Sequence, residues 1–267
     1  MRKLIFKRKY KKTFYVGLIM VSLSVLFAAI GAFWTPYDTT EMHLPLKNAA
    51  PSLSHIMGCD NLGRDVFSRV MSAGSLSFFV AILVTLTGLF FGTIIGCMTG
   101  YYGGAIDSII MRINDTVFAF PSVLLAILIV GVVGNGKYNL VLALGISFIP
   151  SFVRIARGEM IRERGSDYVK NLKLMGARDF HIIFIDILPN MKTALVSATL
   201  IGFQNAVLAE AGMSYLGLGI SAPDVSLGRM LYEAQSYLVF APHMAIAPGI
   251  AILFLTLGLG FVSHGIT

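Results

Sequence analysis

Six long runs of this chain carry almost no charge, and in water no other feature restricts the fold as much. A hydrocarbon core about 30 Å thick needs roughly 20 apolar helical residues for each crossing. The first run, 13–34, is uncharged and closes at Trp34 and Tyr37, rings suited to a membrane interface. A second crossing is expected near 76–99. A third is expected over 116–136, with a start near Ile106, and a short fourth over 138–153. The fifth, 193–215, is interrupted by Glu210, and the sixth lies near 243–262. Composition agrees: 56% of the 267 residues are hydrophobic, 13% are charged and the mean hydropathy is +0.77. Soluble domains carry about 25% charged residues, so half that share leaves too little polar surface to cover a globule. A soluble enzyme, a disordered chain and a disulfide-built module are excluded. Only Cys59 and Cys97 are present, Cys97 inside an apolar run, so no cysteine metal site is expected.

The first run exceeds the 7–15 apolar residues of a usual signal peptide and reads as an uncleaved helix. Seven basic residues precede it, and nine more fall at the second and fourth connections, against five elsewhere among the 21. The positive-inside rule therefore places both termini and the 154–192 connection in the cytoplasm. The net charge of +7 then reports orientation and does not suggest nucleic acid. The expected fold is an all-α, polytopic membrane protein with six transmembrane helices. Its order is a basic tail 1–12, a first helix 13–34, an extracytoplasmic segment 35–70 and a five-helix body 71–267 with a cytoplasmic loop 158–190. Pro36, Pro45 and Pro51 in the external segment suit an ordered cap.

Several residues stand out within this frame. Gly88, Gly92, Gly96 and Gly100 form a stripe at spacing four that lets another backbone approach closely. Packing within the chain is preferred over contact with a second subunit. Glu210 is an acidic residue deep in a span, with Gln204 and Asn205 about one and a half turns before it. A carboxylate there costs roughly 2.5–3.5 kcal/mol on insertion scales and must face protein or a watery cavity. A place beside a translocation path and a helix-to-helix hydrogen bond fit it equally, and Gln204 and Asn205, adjacent in sequence, cannot both face one partner. Asp107, Arg112 and Asp115 read as an amphipathic start to the third span, with an Arg112–Asp115 pair at i,i+3. Pro121 and Pro150 are expected to bend the third and fourth spans. The five histidines form no i,i+4 metal pair, and His243 and His264 read as packing residues. Met213, Met230, Met244 and His243 would suit a soft metal, but methionine is also an ordinary filler of apolar space, the preferred reading.

The loop 158–190 is too polar to cross and too long for a turn. Ser166 suits the cap of a short helix carrying Tyr168, Val169, Leu172 and Met175 roughly on one face. Gly176 allows a sharp turn, and Asp179 can start a second helix to Ile187, before Leu188-Pro189. Such a helix lies on lipid or in a partner's groove, and composition leaves both open.

This loop resembles the signature of bacterial ABC-importer permeases: Glu-Ala-Ala, three residues, Gly, nine residues, Ile-x-Leu-Pro. Here Gly176 precedes nine residues and then Asp186-Ile187-Leu188-Pro189, while the opening triplet reads Lys170-Asn171-Leu172. The stretch Met57-Gly58-Cys59-Asp60-Asn61-Leu62-Gly63-Arg64-Asp65 is similar to the outward segment of the dipeptide, oligopeptide and nickel permeases. So are Gly100-Tyr101-Tyr102-Gly103-Gly104, Phe120-Pro121-Ser122, Asp167-Tyr168-Val169, and Ala209-Glu210-Ala211 running into Ser214-Tyr215-Leu216-Gly217-Leu218-Gly219. The likeness runs from about residue 10 to the end and is to the second permease subunit of such importers, whose usual charged tail would extend beyond Thr267. It implies a heterodimer with a homologous permease, two cytoplasmic ATPase subunits and an external substrate-binding protein. The ATPases would receive the 168–175 helix, with Gly176, Leu188 and Pro189 shaping the loop, and would carry ATP and magnesium. This chain needs no cofactor and is no enzyme by itself, since it has no G-x-x-x-x-G-K-[ST] phosphate loop. Gln204, Asn205, Glu210 and Met213 are the candidates for the path, and peptides, nickel or metal chelates for the cargo. A proton-coupled secondary transporter using Glu210 is the competing reading, but no inverted repeat supports it. No serine sits in a nucleophile motif, which removes an intramembrane enzyme.

Overall fold

The computed structural model describes residues 2–266, with side chains for 12–265. The basic side chains before Lys12, and Thr267, lie outside the described residues. Ten α-helices follow in order among the described residues: α1 (Arg2–Phe33), α2 (Val66–Tyr102), α3 (Gly104–Phe118), α4 (Ser122–Val133), α5 (Lys137–Arg164), α6 (Asp167–Leu174), α7 (Asp179–His181), α8 (Lys192–Tyr215), α9 (Leu227–Ala234) and α10 (His243–Ile266). Helices are the expected solution, because in hydrocarbon every backbone N–H and C=O must be paired within its own segment.

Five helical segments are long and apolar enough to cross a membrane, and the α3–α4 pair makes a sixth only if counted as one bent span. That pair stands where the third crossing is expected, but as two helices. The helix breaks at Pro121 with an 86° bend. Proline lacks the N–H that would continue the ladder, and it drives the residue before it out of the helical region. The 12 residues of α4 reach only about 18 Å, and α3 turns away with Ile106, Ile109 and Ile113 exposed along one side. By contrast, Pro150 lies inside an uninterrupted α5. That helix outruns the expected 138–153 and carries Arg154 and Arg157 past the span.

The centre of the bundle is the parallel pair α2 and α5, joined along the glycine stripe. A Cβ on Gly88 would meet the Phe152 ring at 2.9 Å, on Gly96 the Val153 carbonyl oxygen at 2.6 Å, and on Gly100 the Met160 Cβ at 2.8 Å. The preferred intrachain reading of that stripe is what these contacts describe. α1 runs antiparallel to α10, where Gly17 faces Phe261 and Gly258 faces Met20. The mid-bundle core gathers Val80, Val84, Leu140, Leu144, Val207 and Leu259.

At one end, residues 35–65 form an ordered cap. Asp65 starts α2 by accepting from the Ser68 amide at 2.8 Å and also pairs with His55 Nδ1 at 2.9 Å. Asp60 accepts from the Leu62 and Arg64 amides, which closes the Asp60–Arg64 turn. Arg64 and Arg69 reach across to Glu233 of α9 at 3.3 and 2.8 Å, and Arg229 binds the other Glu233 oxygen at 3.1 Å. The opposite end carries α3 and the loop containing α6.

Candidate functional site

The loop between α5 and α8 is built as a prong. α6 ends in a Schellman motif: the Gly176 amide donates to the Lys173 carbonyl and the Ala177 amide to the Leu172 carbonyl, at 3.0 and 3.1 Å. Gly176 takes φ +78°, and its Cβ position has nothing within 4 Å. The glycine is required by the backbone and not by space. Ser166 occupies the N-cap position, but its side chain does not accept from the helix. Its hydroxyl donates to the Glu163 carbonyl at 2.6 Å, tying the start of α6 to the end of α5.

The expected α6 face divides in two. Val169 is fully buried, and Tyr168 and Leu172 are partly buried against Ile182, Ile183, Ile187, Met160 and Cys97. These residues seat the helix on its own chain. Met175 points away and is 82% exposed, beside Leu174 at 85% and Phe180 at 69%. Leu174 and Phe180 were not singled out from the sequence, since they fall off the periodic apolar face. An apolar residue off that face, in an otherwise polar loop, was the available signal.

The expected second helix over 179–187 is a winding passage. After α7 the chain follows a π-helix over Ile182–Ile187 and a 3-10 turn over Leu188–Met191 before α8. Pro189 accounts for the change of pitch, because its missing N–H and its ring clash with the carbonyl four residues back, and the turn widens. Leu188 packs against the inner cluster of the prong.

Within the bundle, Glu210 is fully buried. Its two oxygens accept from the Ser77 and Ser214 hydroxyls, each at 2.8 Å. Those hydroxyls in turn accept from the Leu227 amide at 3.3 Å and the Ile220 amide at 3.1 Å. The carboxylate thus fastens α2, α8 and the connection to α9. Of the two sequence readings these contacts match the helix-to-helix hydrogen bond. Met213 is wholly enclosed in the mid-bundle core. Met230 and Met244 are buried filler in the cluster beneath the cap, and His243 Nε2 donates to the Cys59 carbonyl at 3.1 Å. No group of three or more His, Cys, Asp or Glu suited to a metal occurs among the described residues.

Asn205 and Gln204 diverge as adjacent residues must. Gln204 faces Gly260 of α10. Asn205 is exposed and lines a cleft of about 350 Å³ between α4, α5 and α8, together with Ser122, Ser151, Phe152 and Gly202. The i,i+3 pair expected of Arg112 and Asp115 is also replaced. Asp115 binds Arg154 at 2.7 Å, and Asp107 binds Arg157 through two contacts of 2.6 Å. Both arginines project from α5, and Arg157 meets Asp107 in the bidentate geometry that makes a guanidinium–carboxylate pair strong.

The family described as binding-protein-dependent transport system inner membrane component matches residues 88–267. The chain is 38% identical over 253 residues to the glutathione transport system permease protein GsiD of Pectobacterium atrosepticum, covering 93% of this chain and 84% of that protein. It is 34% identical over 257 residues to the dipeptide transport system permease protein DppC of Haemophilus influenzae, covering 94% and 87%. Among solved structures, an inward-facing MetNI methionine ABC transporter chain superposes with a TM-score of 0.58 over 74% of this chain and 96% of that one. At 15% identity that likeness is one of fold.

Proposed function

Because the chain belongs to the binding-protein-dependent transport system inner membrane components, we propose that it is one of two permease subunits of an ATP-driven importer of short peptides. The positive-inside rule orients it with both termini and the α6 prong in the cytoplasm and the 35–65 cap outside. The observation that carries the reading is the prong itself. Its inner face is locked to the bundle, while Leu174, Met175 and Phe180 stand exposed at its tip. Covering an apolar side chain of this size contributes about 1.5–3 kcal/mol, so the tip fits a groove on a separate ATPase subunit. No phosphate loop occurs in this chain, and ATP and magnesium belong to that partner. The cleft at Ser122, Ser151 and Asn205 is half of the translocation path, completed by the second permease. The charge-knitted cap receives the substrate-binding protein. ATP-driven closure then shifts the equilibrium between inward- and outward-open forms through differential contacts at the prong.

Short peptides are the favoured cargo because GsiD and DppC are named for glutathione and dipeptide transport. The test is reconstitution of both permeases, the ATPases and the binding protein in vesicles, with uptake of a dipeptide, glutathione and chelated nickel compared. ATP-dependent accumulation of a peptide is expected. Accumulation without an ATPase, or of nickel alone, overturns the assignment.

A further inference from the structure

Tyr101, at the last turn of α2, is 5% exposed, and the ends of three other elements converge on it. Its hydroxyl donates to Asp179 Oδ1 at the start of α7, at 2.6 Å. Its carbonyl accepts from Arg164 Nη1 at the end of α5, at 2.7 Å. Lys173 of α6 holds its ammonium 4.6 Å from the ring centroid. At the start of α6 the Ser166 hydroxyl donates to the Glu163 carbonyl, and the Tyr168 hydroxyl donates to the Glu163 carboxylate and accepts from Asn190; beyond them the contacts of the prong are apolar, with Val169 and Leu172 against Ile182, Ile183 and Ile187. Such contacts are non-directional and tolerate sliding. A short hydrogen bond to a carboxylate is directional and fixes register. α6 is also flanked by Gly165 and by the left-handed Gly176, so the backbone alone leaves it free to swing on α5.

We propose that Tyr101 is a positioning residue for energy coupling: its hydroxyl, fastened to Asp179, makes displacement of the α6 prong move α2 together with the passage into α8. Without that pin, α6 stays docked and folded but slips over its apolar seat. The idea rests on the reading that α6 docks an ATPase. If Tyr101 instead only fills space beneath the prong, phenylalanine does the same work, because the ring stays and only the hydroxyl is lost. Asp179 is exposed, so Y101F leaves no buried unpaired charge and the variant folds.

The experiment uses the complete importer in vesicles and reads ATP hydrolysis with and without the substrate-binding protein loaded with a dipeptide. Y101F is expected to retain its ATPases and its basal hydrolysis. Its stimulation by the loaded binding protein should fall at least about fivefold, the low end of ordinary coupling between sites. D179N keeps an acceptor oxygen and should stay close to wild type, whereas D179A should match Y101F, and the Y101F/D179A double variant should be no worse than D179A. Stimulation of Y101F at the wild-type level, loss of ATPase association by Y101F, or additive defects in the double variant each overturn the proposal. Failure of the unmodified chain to hold an ATPase overturns the docking reading first, and this idea with it.

Discussion

Replacing Gly96 by alanine tests the seam between α2 and α5. The added Cβ would lie 2.6 Å from the Val153 carbonyl oxygen, 2.7 Å from the Ala156 Cβ and 2.8 Å from the Arg157 amide nitrogen. All three belong to the backbone or first side-chain atom of a helix, so no flexible group can turn aside. Ordinary Cβ contact begins at 3.4 Å, so the helices must part by about 0.8 Å. Overpacking of this kind costs about 1–3 kcal/mol. Helix propensity acts the other way, since alanine exceeds glycine by about 1 kcal/mol in a helix interior. Gly131 of α4 supplies the control, because a Cβ there meets nothing within 4 Å. G131A therefore carries the propensity gain alone, and the difference between the two variants isolates the steric cost. At about 2–4 °C per kcal/mol for a chain of this size, thermal unfolding in detergent followed by circular dichroism should place G96A about 2–12 °C below G131A. Equal midpoints would show that α2 and α5 do not meet along this stripe.

Glu210→Gln keeps an acceptor for one serine and should leave uptake nearly intact, whereas Glu210→Ala orphans the buried Ser77 and Ser214 hydroxyls at about 1–3 kcal/mol each; a lower unfolding midpoint for Ala than for Gln checks this. Gly176→Val forces a β-branched residue into a left-handed conformation that costs roughly 1–2 kcal/mol, so uptake should fall in Gly176→Val and be largely retained in Gly176→Asn. Glu233→Ala removes the anion shared by Arg64, Arg69 and Arg229. Glu233 is partly exposed and Arg64 and Arg69 keep Asp60, so the loss stays below the about 3–5 kcal/mol of a fully buried pair broken from one side, and protease sensitivity of the 35–65 cap should rise while that of the α6 loop does not. Cys59 and Cys97 are fully buried, and burial together with Asp65 and Asp60 pushes the Cys59 thiol up. Neither should react with a water-soluble maleimide until the protein is unfolded, and mass spectrometry would detect a labelled folded chain.

The spans were legible because hydropathy is a sum over some 20 residues, which local detail barely disturbs. Pro121 announced a bend but not a right angle, since the angle depends on Arg154 and Arg157 seizing Asp115 and Asp107 from another helix. Periodicity identified the apolar side of α6 but not what covers it. Val169 faces its own chain, while Met175 of the same periodic face is left uncovered together with Leu174 and Phe180, which break the pattern. Glu210 shows the same limit: the cost of burying a carboxylate can be read from one dimension, while its donor Ser77, and the Leu227 amide that donates to Ser77, are far away in sequence.

The pairing of α1 with α10 sets a timetable for biogenesis. α1 leaves the ribosome well before α10, and it finds the surface that faces Gly17 only when α10 is inserted, at Gly258 and Phe261. Until then it waits among lipids with that side uncovered, held only by the contacts it makes with α2 near Gly31 and Ser75. Nascent chains that stall before α10 would therefore expose a recognisable defect to membrane quality control, and the bundle is sealed only when α10 meets α1.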